Sequence, residues 1–317
     1  MNTFNKVAKE GKLSLGLVFP IEAYSGSVAT MQHQVKLAKR AEELGFSALW
    51  FRDVPFNDPS FGDAGQLYDP WVYMAHIMNH TSTIALATGS VILSLRHPVH
   101  TAKSLQSLQQ LSNGRIILGV ASGDRPMEYP AFNRDISTKS ELFRDSFFYI
   151  KSLLGDFPEH ESKYFGKING SIDLLPKSAY KTPFLVTGHS GQSVDWIAEY
   201  GDGWLYYPRD IRFLEQSLSD WKMALQQNGQ PWKPYMQSLY IDLVEDDDAL
   251  PTPIHLGIKT GSNYLKTYLK KLESMHVNHV ILNLKYSSTP ADVIVEKLGD
   301  KILPFFLPQT NIEKIPH

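Results

Sequence analysis

Residues 83–125 decide the fold: TIALATGSVILSLRHP (83–98), a helical stretch, then LSNGRIILGVASGDR (111–125). Two short runs rich in β-branched residues and leucine, 84–86 and 115–120, read as buried strands. Each opens at its C-terminal end into small residues, Thr88-Gly89-Ser90 after the first and Ala121-Ser122-Gly123-Asp124 after the second. A buried strand that ends this way lets a flat ligand approach the backbone. The two openings therefore read as opposite walls of one pocket. Between them Pro98 starts a helix with Ala102, Leu105, Leu108 and Leu111 along its buried side, and Asn113-Gly114 closes it.

The same alternation extends in both directions. Upstream, residues 13–19 (LSLGLVF) form a strand, and Thr30 caps a helix with Val35, Ala38, Ala41 and Leu44 on one face and Gly45 at its end. Residues 46–51 (FSALWF) form a second strand, followed by the long loop VPFNDPSFGDAGQLYD (54–69), a candidate lid. Asp69-Pro70 then opens a helix to about residue 80. Downstream come a helix over 138–154, an irregular stretch at about 155–182, strands at 183–186, 203–207, 238–244 and 279–284, and helices at 190–200, 211–227, 262–275 and from Pro290. Eight strand–helix units predict an α/β protein, a (β/α)8 TIM barrel, as a single domain over 1–317. The 155–182 stretch is an insertion after the fourth unit, expected over one end of the barrel. A doubly wound open sheet shares the alternation, but the count of eight favours closure.

Composition narrows the function. With 31 basic and 33 acidic residues and no basic block, nucleic acid is not an expected partner. Cysteine is absent, which removes disulfides, thiolate nucleophiles and cysteine-ligated zinc. The polar start, MNTFNKVAKEGK, is unlike a secretory signal, and no apolar run reaches the roughly 18 residues of a membrane span. No membrane and a cytoplasmic location are the expectations. Glu245 to Asp248 reads as a solvated acidic loop.

A barrel of this kind places its site at the C-terminal strand ends. Those ends carry aromatics, small residues and few ionisable groups, a set suited to a planar aromatic cofactor rather than a metal. The turn TGHSGQS (187–193) joins a strand to a helix N-terminus, where free N–H groups and the dipole attract an anion. It is a phosphate candidate or an ordinary turn capped by Ser190. Asp53 is a candidate for proton handling or the carboxylate of a strand-end ion pair with Arg52 or another neighbour. His97 is a candidate substrate contact or a turn cap. His76 and His80 have metal-ligand spacing without a supporting carboxylate motif, so no metal site is assigned. Of Trp204, Tyr206 and Tyr207, the two tyrosines must face opposite ways.

Four segments in this order, AEELGFSALWFRD, ATGSVILSLRHP, LSNGRIILGVASGD and TGHSGQSVDWIAEYGDGW, resemble the luciferase-like flavin-dependent monooxygenases, the class of bacterial luciferase and alkanesulfonate monooxygenase. The resemblance runs from about Leu13 to Phe306. It implies FMN or, in one branch, a deazaflavin, with a small-molecule substrate, a separate flavin reductase and a homodimer as partners. It places a non-proline cis peptide near Gly89-Ser90-Val91. Cofactor contacts carried over are Thr88, Gly89 and Ser90, then Ser122 and Gly123, then Thr187, Gly188, His189, Ser190 and Gly191. Asp53-Val54 stands where bacterial luciferase has a histidine, and Ser122 where it has a phosphate-binding arginine; Arg125 or Lys139 is the replacement charge. The activity implied is oxygenation by reduced FMN in a water-excluding pocket. Deazaflavin-dependent hydride transfer and a flavin-binding protein without turnover are the alternatives.

Overall fold

A computed structural model describes residues 3–306. Eight strands form the barrel: β1 Ser14–Val18, β2 Ala48–Phe51, β3 Ala85–Thr88, β4 Ile116–Ala121, β5 Phe184–Thr187, β6 Gly203–Tyr206, β7 Tyr235–Leu243 and β8 Val277–Asn283. Each pairs in parallel with the next, and β8 pairs in parallel with β1. The sheet is closed, as the eight-unit count predicts. The helices are α1 Gln34–Leu44, α2 Pro70–Met78, α3 Pro98–Leu111, α4 Lys139–Leu153, α5 Val194–Tyr200, α6 Ile211–Gln227, α7 Ser262–Ser274 and α8 Ala291–Lys301. Among the described residues, no helix is long and apolar enough to cross a membrane.

Several boundaries differ from the sequence reading for local reasons. Helix α1 starts at Gln34 rather than after Thr30, because Met31 and His33 adopt left-handed backbone and delay the first turn. Helix α5 starts at Val194, with Ser193 Oγ accepting from Trp196 N at 3.1 Å. Ser190 is therefore not its cap. Asp69 caps α2 through Trp71 N and Val72 N, and His97 caps α3 through Val99 N, as the Asp-Pro and His-Pro pairs suggest. Two hairpins escape the sequence reading. One, Glu159–Ser162 with Gly166–Asn169, lies in the insertion. The insertion packs along α3 and α4: Tyr149 stacks on His160, Ser178 N donates to Gln106 Oε1, and Phe165 O meets His97 Nε2. The other, Thr252–Ile254 with Gly257–Thr260, lengthens the sheet beside the outer half of β7.

Side chains along each strand alternate between two cores. The larger core, between strands and helices, takes Leu15, Leu17, Leu49, Leu86, Leu118, Val186, Trp204 and Tyr206. The smaller one fills the barrel interior with Val18, Ala48, Trp50, Ala85, Ala87, Ile117, Leu185, Leu205, Met236 and Ile281, and the short helix Phe4–Val7 brings Val7 against it. Trp204 and Tyr206 thus face the helices, while Tyr207 lies past the end of β6.

A polar chain crosses the interior. Trp50 Nε1 donates to His279 Nε2 at 3.0 Å, leaving His279 Nδ1–H to donate to Ser14 Oγ at 2.6 Å, and Ser14 Oγ donates to Val7 O at 2.5 Å. A Cβ on Gly16 would lie 2.7 Å from His279 Nε2 and 2.8 Å from Trp50 Nε1, so the glycine makes room for the pair. Burial lowers the His279 pKa to about 3.

Two stability predictions follow from this chain. Gly16→Ala should cost about 1–3 kcal/mol by overpacking, read from urea unfolding at constant m-value. An unfolded histidine titrates near 6.5, so between pH 6.5 and about 3 the unfolded state alone takes up this proton. Stability should be full above that window and fall within it by up to ~1.4 kcal/mol per pH unit for this one group. His279→Gln should remove that part of the slope; equal slopes in the two proteins would refute the assignment.

Candidate active site

Strand alternation decides which rim residues reach the barrel mouth. Arg52 continues the inward set Ala48, Trp50; Lys285 continues His279, Ile281, Asn283; Tyr207 follows Leu205. Asp53 continues the outward set Leu49, Phe51. Its carboxylate faces α3, where Arg96 Nε and Nη2 grip both oxygens at 2.7 Å and Ile92 N donates at 3.1 Å. Arg96 also binds Asp69 at 2.7 Å, so Asp53 joins β2 to the starts of α2 and α3. His97 is equally committed: Nδ1 accepts from Val99 N, and Nε2 donates to Phe165 O at 3.2 Å. Burial lowers its pKa. His76 and His80 touch edge to face, and no metal-holding cluster of three His, Asp or Glu occurs among the described residues.

The two small-residue openings are neighbours on one arc rather than opposite walls, because β3 and the segment after it pair directly with β4. Ser90 Oγ hydrogen-bonds Thr187 Oγ1, joining the segment after β3 to the end of β5. Ser190 Oγ donates to Thr187 O at 2.8 Å and accepts from Ser122 N at 3.2 Å, adding the end of β4. Thr88 is placed differently: its hydroxyl donates to Gly119 O at 2.7 Å and ties β3 to β4. The Gly89–Ser90 peptide is cis, where the resemblance places such a bond, and a Cβ on Gly89 would lie 3.2 Å from the Trp50 ring. Gly123 has φ +85°, and a Cβ there would meet Ile92 at 2.8 Å.

The turn after β5 is held from outside. Gly188 N donates to Leu205 O at 2.8 Å, Trp204 Nε1 donates to Gly188 O at 2.7 Å, and Gln192 Nε2 donates to Ser140 O at 3.0 Å. Gly188, Ser190 and Gly191 all have positive φ, and a Cβ on Gly191 would collide with Ser140. Among the described residues the backbone N–H groups of His189, Ser190 and Gly191 have no hydrogen-bond partner. Successive free N–H groups in such a turn form a concavity for an anion. The exposed His189 ring lies 5.5 Å from Trp204 and 5.7 Å from Tyr206. Beside the turn a cavity of about 450 Å³ is lined by Ser140, Arg144, His160, Lys163, Gly191 and Gln192. Serines from three strand ends and a partner-free N–H turn fit the phosphate end of a phosphorylated cofactor.

Arg125, a replacement charge in the sequence reading, points away from that turn. It donates to Ala64 O at 3.0 Å, reaches Asp63 at 3.5 Å and lies over the Phe61 ring. These contacts belong to a cluster that sequence reasoning missed. Arg52 pairs bidentately with Asp63, and Lys285 donates to Gly62 O at 3.2 Å, so the 54–69 loop folds onto the rim. Burial pushes the Asp63 carboxyl up, but Arg52 and Arg125 outweigh it and hold it below the usual range. The period of two in β2 and β8 carried the signal for Arg52 and Lys285; nothing local marked Asp63 as their partner.

A second omission is Glu128, on the one-turn helix Glu128–Ala131 after β4. It is 3% exposed, and its Oε1 has no hydrogen-bond partner. Burial raises its pKa to about 7; Arg125 opposes the rise, and Asp53, Asp124 and Asp58 add to it.

Comparison with known proteins places this geometry. Residues 13–249 match the family model of the luciferase-like monooxygenases. The alkanal monooxygenase alpha chain of Photorhabdus laumondii is 24% identical over 172 residues, 54% of this chain and 46% of that protein. The F420-dependent hydroxymycolic acid dehydrogenase of Mycobacterium tuberculosis is 29% identical over 180 residues, 55% of this chain and 48% of that protein. The chain spans about half the length of these curated relatives. Among solved structures, an F420-dependent secondary alcohol dehydrogenase with an F420-acetone adduct superimposes with a TM-score of 0.76 at 15% identity, over 92% of this chain and 98% of that one. The oxygenating constituent of 3,6-diketocamphane monooxygenase from Pseudomonas putida, with FMN, does so at 0.72 and 14%, over 94% and 100%. At those identities the structural likeness speaks for the barrel; the match over residues 13–249 says that the chain belongs to the luciferase-like monooxygenase family.

Proposed function

We propose that the protein is a flavin-dependent oxidoreductase, a monooxygenase that uses reduced FMN and O2 on a small organic substrate. The observation that carries this reading is the convergence of Ser90, Ser122, Thr187 and Ser190 beside the partner-free N–H groups of residues 189–191. In this reading Gly188, His189, Ser190 and Gly191 hold the phosphate, Ser122 and Gly123 line its approach, and Gly89 and Ser90 support the ring, with Thr88 fixing their strand. Reduced FMN, when bound, supplies the two electrons with which O2 gives one oxygen atom to the substrate and one to water.

The chain's own residues do the rest. The 54–69 loop, pinned by Arg52, Arg125 and Lys285, keeps bulk water from the mouth. Glu128, protonated up to about pH 7, holds a proton at a buried carboxyl. Both Asp53 oxygens are occupied by Arg96, so its part is to position the rim. His97, with both ring nitrogens engaged, holds the insertion against α3. A flavin reductase as supplier and pairing of two chains complete the proposal, both resting on the resemblance. The F420-dependent enzymes among the relatives support a second reading, hydride transfer with a deazaflavin and no oxygen step.

Titration of the protein with FMN and with F420 separates the two readings; tight binding and turnover with F420 alone would overturn the first. Ser190→Asp should weaken FMN binding at least about tenfold, roughly 1.4 kcal/mol, by like-charge repulsion. Aspartate tolerates left-handed backbone, so strain at φ 49° does not account for such a loss. Ser190→Ala, which loses the two hydrogen bonds without adding charge, should cost less; equal effects of the two would move the phosphate elsewhere.

Glu128 gives a pH test. Its carboxyl titrates near 7 in the fold against an ordinary carboxylate value of 4.5, so the folded state alone holds this proton between those values. Its contribution to stability is complete below 4.5 and lost as pH rises through 7. Glu128→Gln should gain stability relative to wild type as pH rises through that window and lose the limb near pH 7 in kcat/KM. Parallel stability curves would show that Glu128 is ordinarily ionised.

A further inference from the structure

The cluster at the mouth is unbalanced. Arg52, Arg125 and Lys285 converge on the 54–69 loop; Asp63 pairs with the two arginines, while Asp58 and Glu128 act on Arg125 from beyond ion-pair distance. The side chains of Arg52, Arg125 and Asp63 are 17%, 6% and 22% exposed, and Lys285 is 3% exposed. Among the described residues no carboxylate lies within ion-pair distance of Lys285, and Asp63 acts on it from farther away: its ammonium has Gly62 O at 3.2 Å and the faces of Tyr24 and Tyr286 at 5.1 and 5.4 Å. Buried charge without a counter-ion is costly. The three cations stand at the ends of β2, β4 and β8, whereas Asp63 rides on a loop without regular secondary structure. Asp63 is the part that can be exchanged.

Barrel order identifies the incoming anion. Strands β8, β1 and β2 adjoin one another, so Arg52 and Lys285 lie on the arc of the rim away from the turn after β5. Arg125 reaches across from β4 to join them. The serine-lined turn answers a cofactor phosphate; a second anion on the far arc belongs to the substrate. Tyr24, Tyr240 and Tyr286 flank that arc, with Tyr240 and Tyr286 rings 5.0 Å apart, walls for a flat apolar body.

We propose that Arg52, Arg125 and Lys285 recognise the carboxylate of an aromatic organic acid, and that Asp63 holds this place until the substrate displaces it. The proposal rests on the oxidoreductase reading for the identity of the ligand as substrate; the cation site itself is independent of it. The loop carboxylate then serves two ends. It keeps the cations paired in the resting enzyme, and it sets a threshold that a neutral molecule does not overcome.

The test uses the full chain, with and without FMN, at low chloride, with phenylacetate as probe and 2-phenylethanol as its neutral counterpart, in calorimetric titrations. Phenylacetate should bind at least about tenfold tighter than 2-phenylethanol. Asp63→Asn should tighten phenylacetate about tenfold more and leave 2-phenylethanol unchanged, and Lys285→Met should reduce the preference for the acid. No binding of phenylacetate at millimolar concentration overturns the proposal, as does equal affinity of wild type and Asp63→Asn. Tightening of FMN instead of phenylacetate in Asp63→Asn assigns the cations to the cofactor and also overturns it. Should Asp63→Asn not fold, hydrogen exchange in the wild type decides. Phenylacetate should speed exchange at Gly65, whose N–H donates to Ser27 O at 2.7 Å; unchanged exchange overturns the proposal. FMN binding without any of these acid effects sinks this inference alone. Acid effects without FMN or F420 binding leave the cation site standing and sink the oxidoreductase reading.

Discussion

Everything at the barrel mouth follows from the closed sheet's alternation of side chains. With eight parallel strands closed on one another, each strand end must send one residue into the lumen and the next toward the helices. In β2 this places Trp50 and Arg52 inside and Phe51 and Asp53 outside. Adjacent residues in sequence therefore serve separate structures. Arg52 meets a loop carboxylate over the lumen, and Asp53 clamps Arg96 between two helix starts. The polar chain from Trp50 through His279 to Ser14 secures the register from below, because it spans β2, β8 and β1 at one level of the interior.

Much of this was legible in the residues. The eight barrel strands, the helices that follow them and the caps at Asp69 and His97 followed from periodicity and from local Pro chemistry. The grouping of Ser90, Ser122, Thr187 and Ser190 came from the resemblance, and it is the shared rim that brings these strand ends together. What failed had tertiary causes. Met31 and His33 enter left-handed backbone against their own preference, so the first long helix starts late. The hairpin over 159–169 is strongly exposed and carries little apolar alternation to betray it. Glu128 drew no attention because one glutamate in a polar stretch has no local signature; its burial comes from neighbours far away in sequence.

The site divides its labour by chemistry. Around β4 and β5 the groups are neutral: hydroxyls and main-chain N–H, suited to an anion that must be oriented without being held too tightly. Across the rim the groups are basic side chains set deeply, and their strength is moderated by a carboxylate from the chain itself. The same logic explains the rise in the Glu128 pKa. A carboxyl shielded from water beside other acids stays neutral more readily than one on the surface.

The loop over the mouth is gripped largely through its main chain. Arg125 takes the carbonyl of Ala64, Lys285 that of Gly62, and Ser27 O receives the amides of Gly65 and Gln66. Such anchors are indifferent to side-chain identity. Sequence can drift along most of this segment while the attachment persists, leaving a stretch in which the shape and polarity of the mouth are open to change without loss of the scaffold.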